Sequence, residues 1–218
     1  MGLLDHFKVR RAPKHEEIPV KAVVRPPMGF LSWVMLRTTG GDPVPCIMRR
    51  MMPADAMVLV RWPVPTYFDW LGLIDGRASG RPTKANVNYD KPLLLSVMET
   101  LSFPDAPAEI VGAMALCDHP ADRPGNLELA YLERSPDSRL VGFGTAALAL
   151  ALLEAERRHM AFFLDALIKS NSHRFYQRCG MSEVDGTPWP TVTVRMEFPS
   201  DGRCEAFLDS VREKQIIP

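Results

Sequence analysis

The segment Arg139-Leu140-Val141-Gly142-Phe143-Gly144 has the composition of a turn that could bind an anion. Its two glycines lack Cβ atoms, so the backbone can approach a ligand closely and direct several N–H groups at one point. A helix predicted to follow the turn would add the positive end of its dipole. Arg-x-x-Gly-x-Gly is a short pattern, however, and taken alone it also fits an ordinary glycine-containing helix start.

The elements around this turn would place it at a strand-to-helix junction. Residues 93–101, 109–117 and 126–133 are strand-like runs separated by short proline-containing breaks, which favours an antiparallel meander. Residues 140–159 form a helix without a polar face in its first half, so we expect it to be buried against a sheet. Residues 161–167 indicate an internal strand, which completes a parallel βαβ unit. The other predicted elements are a strand from residue 46, a helix at 54–62, a helix at 172–178, and strands at 181–184 and 191–198.

Composition limits the possible functions. The chain has 218 residues, 46% of them hydrophobic, and equal numbers of basic and acidic residues, 26 each. It is therefore expected to fold into one domain without a global charge that would attract nucleic acid or anionic lipid. Its four cysteines have no zinc-ligand or disulfide-framework spacing, so we expect buried or semi-buried thiols in a reducing compartment. No apolar run reaches the roughly 18 residues that a membrane span needs, and no signal peptide is evident, so we interpret the protein as soluble and cytoplasmic.

A second motif, Phe175-Tyr176-x-x-x-Gly180-Met181, follows the glycine turn at the end of the next predicted helix. Together with the order of the elements, the two motifs resemble the GNAT superfamily of N-acetyltransferases over residues 46–198. Two further segments are similar to early elements of that superfamily: Ile47-Met48-Arg49-Arg50 followed by Pro53-Ala54-Asp55, and Glu109-Ile110-Val111-Gly112. The resemblance implies an α/β (α+β) fold, with a mixed, mostly antiparallel sheet, flanking helices and a parallel βαβ unit at an acetyl-coenzyme A site.

The same resemblance implies a cofactor-binding segment and a domain organisation. Acetyl-coenzyme A would be the co-substrate, without a metal. Its diphosphate would be held by Arg139, Leu140, Val141, Gly142, Phe143, Gly144 and Thr145. Where many members have an asparagine ahead of the tyrosine, this chain has Lys169 and Ser172, and Asn171 is the candidate substitute with a shift of register. The predicted domain covers residues 42–199, between an N-terminal extension (1–41) and a C-terminal tail (200–218).

Acetyl transfer to an amine requires a base or a desolvating pocket, because a lysine-type amine has a pKa of about 10.4 and must lose a proton to react. Glu128 matches the column in which the histone-acetylating branch carries its general base, although a solvent-facing strand residue is the alternative interpretation. Glu133 lies on the same strand at an odd spacing from Glu128. Without a bulge the two side chains would point to opposite faces, and only one could face the acceptor.

Two further roles follow from the resemblance. Backbone N–H groups of Leu132, Glu133 and Arg134 would stabilise the thioester oxygen, in a region where the superfamily opens its sheet to the pantetheine arm. Tyr176 would protonate the departing thiolate, with packing of its ring on the sheet as the alternative.

The sequence does not identify the acceptor, which we expect to be a small-molecule or protein amine, and a homodimer is possible. One alternative is a catalytically silent acyl-coenzyme A sensor or scaffold that acts through a protein partner. Another is a toxin that acetylates aminoacyl-tRNA, which the balanced charge disfavours. The residues most suited to shape an acceptor site lie at about 53–91.

Overall fold

The computed structural model describes residues 29–62, 70–75, 92–101, 107–118, 125–168, 172–184 and 193–218. Asn171 and residues 1–28 of the predicted extension lie outside these ranges. Within them, the strands are β1 (Phe30–Arg37), β2 (Pro43–Arg50), β3 (Leu94–Thr100), β4 (Ile110–Asp118), β5 (Asn126–Arg134), β6 (Ala161–Leu167), β7 (Ser182–Glu183) and β8 (Thr193–Glu197). The helices are α1 (Pro53–Leu59), α2 (Trp70–Asp75), α3 (Phe143–Arg157), α4 (Ser172–Arg178) and α5 (Arg203–Glu213).

The strands form a single sheet in the order β1-β2-β3-β4-β5-β6-β8-β7. Neighbours pair antiparallel except for β5 and β6, which are parallel and are joined through α3. The predicted fold class is therefore confirmed: a mixed, mostly antiparallel sheet with one parallel βαβ unit. The meander β3-β4-β5 and the strand β6 are also where the hydrophobic pattern predicts them.

The two faces of the sheet carry separate cores. On the α3 face, α3 packs on side chains such as Leu116, Leu127 and Leu129. Alanines and leucines line almost every side of α3, and most are buried, as the lack of a polar face predicts. On the α1 face, α1 and α2 pack on Val97, Ala113, Ala115 and Tyr131. Among the described residues, no helix is both long enough and apolar enough to span a membrane.

The sheet and its core extend beyond the segment that resembles the superfamily. Strand β1 is the outermost strand next to β2, and its Val34 and Leu36 are buried on the α3 face. Helix α5 adds Leu208 and Val211 to the same core. Just after α5, the carbonyl of Ile216 accepts a hydrogen bond from the N–H of Met35 at 2.9 Å. Residues 30–37 and 203–217 therefore share one core with the segment between them.

Candidate active site

The parallel strands β5 and β6 pair over only part of their length. The register runs from Asn126 beside Ala161 to Glu128 beside Phe163 and ends there. Strand β5 nevertheless continues to Arg134, and β6 continues to Leu167. The second half of β5 therefore remains in the sheet through β4, while its other edge faces the opening between β5 and β6. We refer to this opening as the β5–β6 gap.

The main chain of β5 directs alternate groups toward this gap. Ser135 N–H donates to the carbonyl of Val111 on β4 at 2.8 Å. A Cβ atom placed on Gly112 of β4 would lie 2.7 Å from the carbonyl oxygen of Glu133. Residues 133 and 135 thus present their main-chain groups to β4. Because these groups alternate along a strand, Leu132 and Arg134 direct their N–H groups toward the gap, whereas the main chain of Glu133 does not.

A β-bulge brings Glu128 and Glu133 to the same face of the sheet. Ala115 pairs with Tyr131 and Leu116 pairs with Leu129, so Ala130 is an extra residue in β5. Glu128 lies between two leucines of the α3 face and points to the α1 face. Glu133 also lies on the α1 face, since it pairs with Ala113 and contacts Trp70. The expectation of opposite faces held only for a strand without a bulge, and the bulge at Ala130 reverses the alternation between the two positions.

The two glutamates differ in their surroundings. Glu128 is only 1% exposed, so the alternative of a solvent-facing strand residue is wrong. Glu133 is half-buried, and its Oε2 accepts a hydrogen bond from Trp70 Nε1 at 2.7 Å. Burial raises the pKa of Glu133 above its ordinary value, and the Trp70 hydrogen bond offsets part of that rise.

The glycine turn presents fewer N–H groups than the sequence predicts. Leu140 N–H donates to Ser138 Oγ at 3.2 Å, and Val141 N–H donates to the carbonyl of Arg37 on β1 at 2.8 Å. Both groups are thus used within the protein, and the predicted contribution of the Leu140 and Val141 amides to an anion site is not supported. The side chain of Arg139 is exposed beside this turn.

The remaining donors lie at the start of α3. The first bond along the helix runs from Ala146 N–H to the carbonyl of Gly142 at 2.9 Å, and no side chain caps this end. The first four N–H groups of the helix therefore have no carbonyl within α3 to which they could donate a hydrogen bond, as at any helix N-terminus. They belong to Gly142, Phe143, Gly144 and Thr145, which are the four C-terminal members of the predicted phosphate segment.

Backbone conformation at Gly142 and close packing at Gly144 and Gly112 favour glycine in and around this turn. Gly142 has φ +98°, which only glycine adopts readily. A Cβ atom on Gly144 would lie 3.0 Å from Cζ of Phe175 on α4, and one on Gly112 would lie 2.4 Å from Cζ of Phe143. The two sequence motifs are therefore in direct contact, because the ring that precedes Tyr176 packs on the second glycine of the turn.

Tyr176 lies on the opposite side of the sheet from the two glutamates. It is 7% exposed within the α3-face core, and its ring stands edge-on to Phe175 with centroids 5.0 Å apart. Burial is the main cause that raises the pKa of Tyr176 above its ordinary value. The phenol therefore stays protonated at neutral pH and can donate a hydrogen bond.

A cavity of about 990 Å³ lies between α1 and residues 135–140, and its lining includes Ser135 at the end of β5. Its wall contains an ion-pair triad. Arg49 donates to Asp55 through both terminal nitrogens, at 2.6 and 2.9 Å, and to Glu99 at 2.6 Å. The three side chains are 10–13% exposed and together carry one net negative charge. Sequence reasoning missed this triad, because Glu99 is fifty residues from Arg49 and no local pattern links them.

The four cysteines are free thiols in the described structure. Cys46 and Cys117 are buried, Cys179 and Cys204 are half-buried, and none forms a disulfide, as the sequence predicts. Burial raises the pKa of Cys46 to about 12 and that of Cys179 to about 11, so both remain thiols at neutral pH.

Three solved structures resemble this one. A candidate acyl-CoA N-acyltransferase from Klebsiella pneumoniae is 23% identical, with 48% of this chain and 72% of that chain covered and a TM-score of 0.38. A candidate acetyltransferase of the GNAT family from Desulfovibrio desulfuricans is 16% identical, with coverages of 69% and 95% and a TM-score of 0.43. Nourseothricin acetyltransferase is 16% identical, with coverages of 78% and 85% and a TM-score of 0.35. No family model matches the sequence, and no similar curated protein was found. Since these likenesses are distant, the activity has to be inferred from the site itself.

Proposed function

We propose that this protein is an acyl-coenzyme A-dependent N-acetyltransferase of the GNAT type, which transfers an acetyl group directly to a primary amine. The β5–β6 gap is the observation that carries the proposal. It lies within the βαβ unit whose helix begins with four N–H groups that lack partners in α3. An extended chain with a diphosphate at one end suits such a gap and helix end.

The main chain supplies the binding contacts in this proposal. The N–H groups of Gly142, Phe143, Gly144 and Thr145 would hold the diphosphate of acetyl-coenzyme A, assisted by the dipole of α3. Leu132 and Arg134 would direct their N–H groups at the acyl oxygen. Such preorganised donors stabilise the charge that develops on that oxygen during attack. Asn171 remains a proposed contact outside the described residues.

The acid and the base would act from opposite faces of the sheet. The amine attacks the acyl carbon, so a C–N bond forms and the C–S bond breaks. A carboxylate on the α1 face, Glu128 or Glu133, takes the proton that the amine nitrogen loses. Tyr176 on the α3 face donates a proton to the departing sulfur. This separation suits a thioester that lies in the gap, because the amine and the thiol can then occupy different sides.

Thiol release from acetyl-coenzyme A, measured over a panel of primary amines, tests the proposed activity. We expect release that depends on both the amine and the enzyme, with an acetylated amine as the second product. Binding of acetyl-coenzyme A without release for any amine would favour the sensor or scaffold alternative. The absence of both binding and release would contradict the proposal as a whole.

A further inference from the structure

We propose that Glu133 is the general base of this site and that Trp70 is the residue that positions it. This inference rests on the proposed acetyl transfer. Glu133 has no base role in the resemblance, which points instead to Glu128. The assignment depends on the bulge at Ala130, on the orientation of the β5 main chain and on one partly buried hydrogen bond from Trp70.

Glu133 stands where the proposed reaction would occur. Its main chain pairs with β4, and its side chain is on the α1 face beyond the last β5–β6 pair. The N–H groups directed at the gap belong to its immediate neighbours, Leu132 and Arg134. Ser135, two residues further along the chain, lines the cavity beside α1. Of the two carboxylates on this face, Glu133 is the more accessible, because it is half-buried whereas Glu128 is 1% exposed.

Trp70 fixes one oxygen of Glu133 and leaves the other available. The indole is fully buried, and its ring stands edge-on to Tyr131 with centroids 5.6 Å apart. Its Nε1 donates to Oε2 of Glu133 at 2.7 Å. Within the described residues, no hydrogen bond to Oε1 of Glu133 is present. The carboxylate is therefore held in one orientation by its Oε2, and Oε1 is the atom that we assign to the proton of the acceptor.

The immediate surroundings of Glu133, rather than more distant charges, mainly determine how basic its carboxylate is. Strand β4 places Ala113 beside it, and α2 adds the apolar Leu73 and Ile74 next to Trp70. Of the acidic groups on the α1 face, Asp55 and Glu99 are paired with Arg49. Asp165 on β6 is paired with Arg195 on β8 at 3.2 Å. Other acidic groups on this face, in the part of the chain that the structure describes, are Glu197 on β8 and, on β5 itself, Glu128 and the phenol of Tyr131. Partial desolvation, which raises the pKa of the Glu133 carboxylate, makes it a stronger base than an exposed glutamate.

Glu133 acts in one proton transfer, from the amine nitrogen to its own Oε1. Oε1 accepts a proton from the ammonium form of the amine, which frees the nitrogen lone pair to form the C–N bond, and the nitrogen loses its second proton to solvent as the amide forms. The electron pair of the C–S bond leaves with the sulfur, which receives a proton from Tyr176. Glu133 later releases its proton to solvent and Tyr176 regains one from solvent, so the step needs no oxidant or reductant.

Substitutions of Glu133 and Glu128 can be compared with two kinds of nucleophile. The alkylamines lysine, spermidine and ethanolamine are mainly protonated at neutral pH, whereas hydroxylamine is mainly neutral. We expect Glu133→Gln to lower kcat about 100-fold or more with the best alkylamine, and less than about 10-fold with hydroxylamine. Glu128→Gln should show no such dependence on the nucleophile. Calorimetry should give the same acetyl-coenzyme A affinity for both variants and the parent.

The role of Trp70 predicts a pH effect that lost packing alone would not produce. The Trp70→Phe variant keeps an aromatic ring, although a smaller one, and removes the donor that stabilises the carboxylate, so the pKa of Glu133 should rise. The acidic limb of the kcat/KM profile should then move to higher pH, with acetyl-coenzyme A affinity unchanged. An unmoved limb would overturn the positioning role, and this test is available even if Glu133→Gln does not fold.

The outcomes separate this inference from the proposed function. If the parent enzyme releases no thiol with any amine, the proposed acetyl transfer fails. If the parent is active and Glu133→Gln retains its kcat, or loses it equally with alkylamines and hydroxylamine, Glu133 is not the base. A selective loss in Glu128→Gln instead would assign that role to Glu128.

Discussion

Replacement of Gly142 by alanine tests the glycine turn most selectively. Gly142 has φ +98°, and a Cβ atom there would meet only Cδ2 of Leu36, at an ordinary 3.6 Å. Space is therefore sufficient, and the cost is conformational, about 1–2 kcal/mol for a non-glycine residue at positive φ. The turn is half-buried and can relax toward negative φ, which would rotate its N–H groups away from a common anion. At 1.4 kcal/mol per tenfold change, we expect coenzyme A affinity to fall about 5- to 30-fold.

Isothermal titration calorimetry with acetyl-coenzyme A measures this effect directly. Val141→Ala is the matched control, because its side chain is 43% exposed and its N–H remains bonded to the carbonyl of Arg37. The control should bind acetyl-coenzyme A as the parent does, and urea unfolding should show that both variants remain folded. Equal affinity for Gly142→Ala and the parent would refute the assignment of this turn to the diphosphate.

Three further predictions concern turnover, packing and pH. Tyr176→Phe should lower kcat by about 100-fold or more and leave acetyl-coenzyme A affinity unchanged, because only the proton donor is lost. Unchanged turnover would show that Tyr176 is not the acid of the mechanism. Gly112→Ala should lower the free energy of unfolding in urea by about 1–3 kcal/mol, because its Cβ would lie 2.4 Å from the Phe143 ring. Stability equal to that of the parent would show that this contact is not tight. The hydrogen bond from Arg157 is the main cause that lowers the pKa of Glu154 from 4.5 to about 2. Glu154→Gln should therefore cost up to about 1 kcal/mol at neutral pH, and its difference from the parent in unfolding free energy should vanish as pH falls from 4.5 to about 2. A difference that persists at the lowest pH would contradict this explanation.

Local patterns were sufficient to predict the central elements. Residues 161–167 and 172–178 were predicted as strand and helix, and the structure has β6 and α4 with these same bounds. Both are short segments with clear ends, and Gly180 follows α4 at φ +99°. By contrast, α2 and α5 were not predicted. The aromatic residues near Trp70 did not show a helical period, and α5 lies in a tail beyond the recognised motifs.

The geometry of the site depends on features that the sequence does not reveal. Nothing in Asn126–Arg134 marks Ala130 as the extra residue, yet the bulge there decides which face Glu133 occupies. The loss of two predicted donors has a similar origin, because the bond from Val141 N–H goes to Arg37 on a strand distant in sequence. The identity of a motif can be read from neighbouring residues, whereas the orientation of its groups depends on pairing between strands.

Residue-resolved amide NMR during titration with acetyl-coenzyme A tests the central claim most directly. The proposed site predicts saturable shifts in the amides of Gly142, Phe143, Gly144 and Thr145, and in those of Leu132 and Arg134 along the β5–β6 gap. Smaller shifts are expected for Leu140 and Val141, whose N–H groups are bonded within the protein. Saturable binding that shifts other regions and leaves both the α3 N-terminus and β5 unchanged would contradict the account.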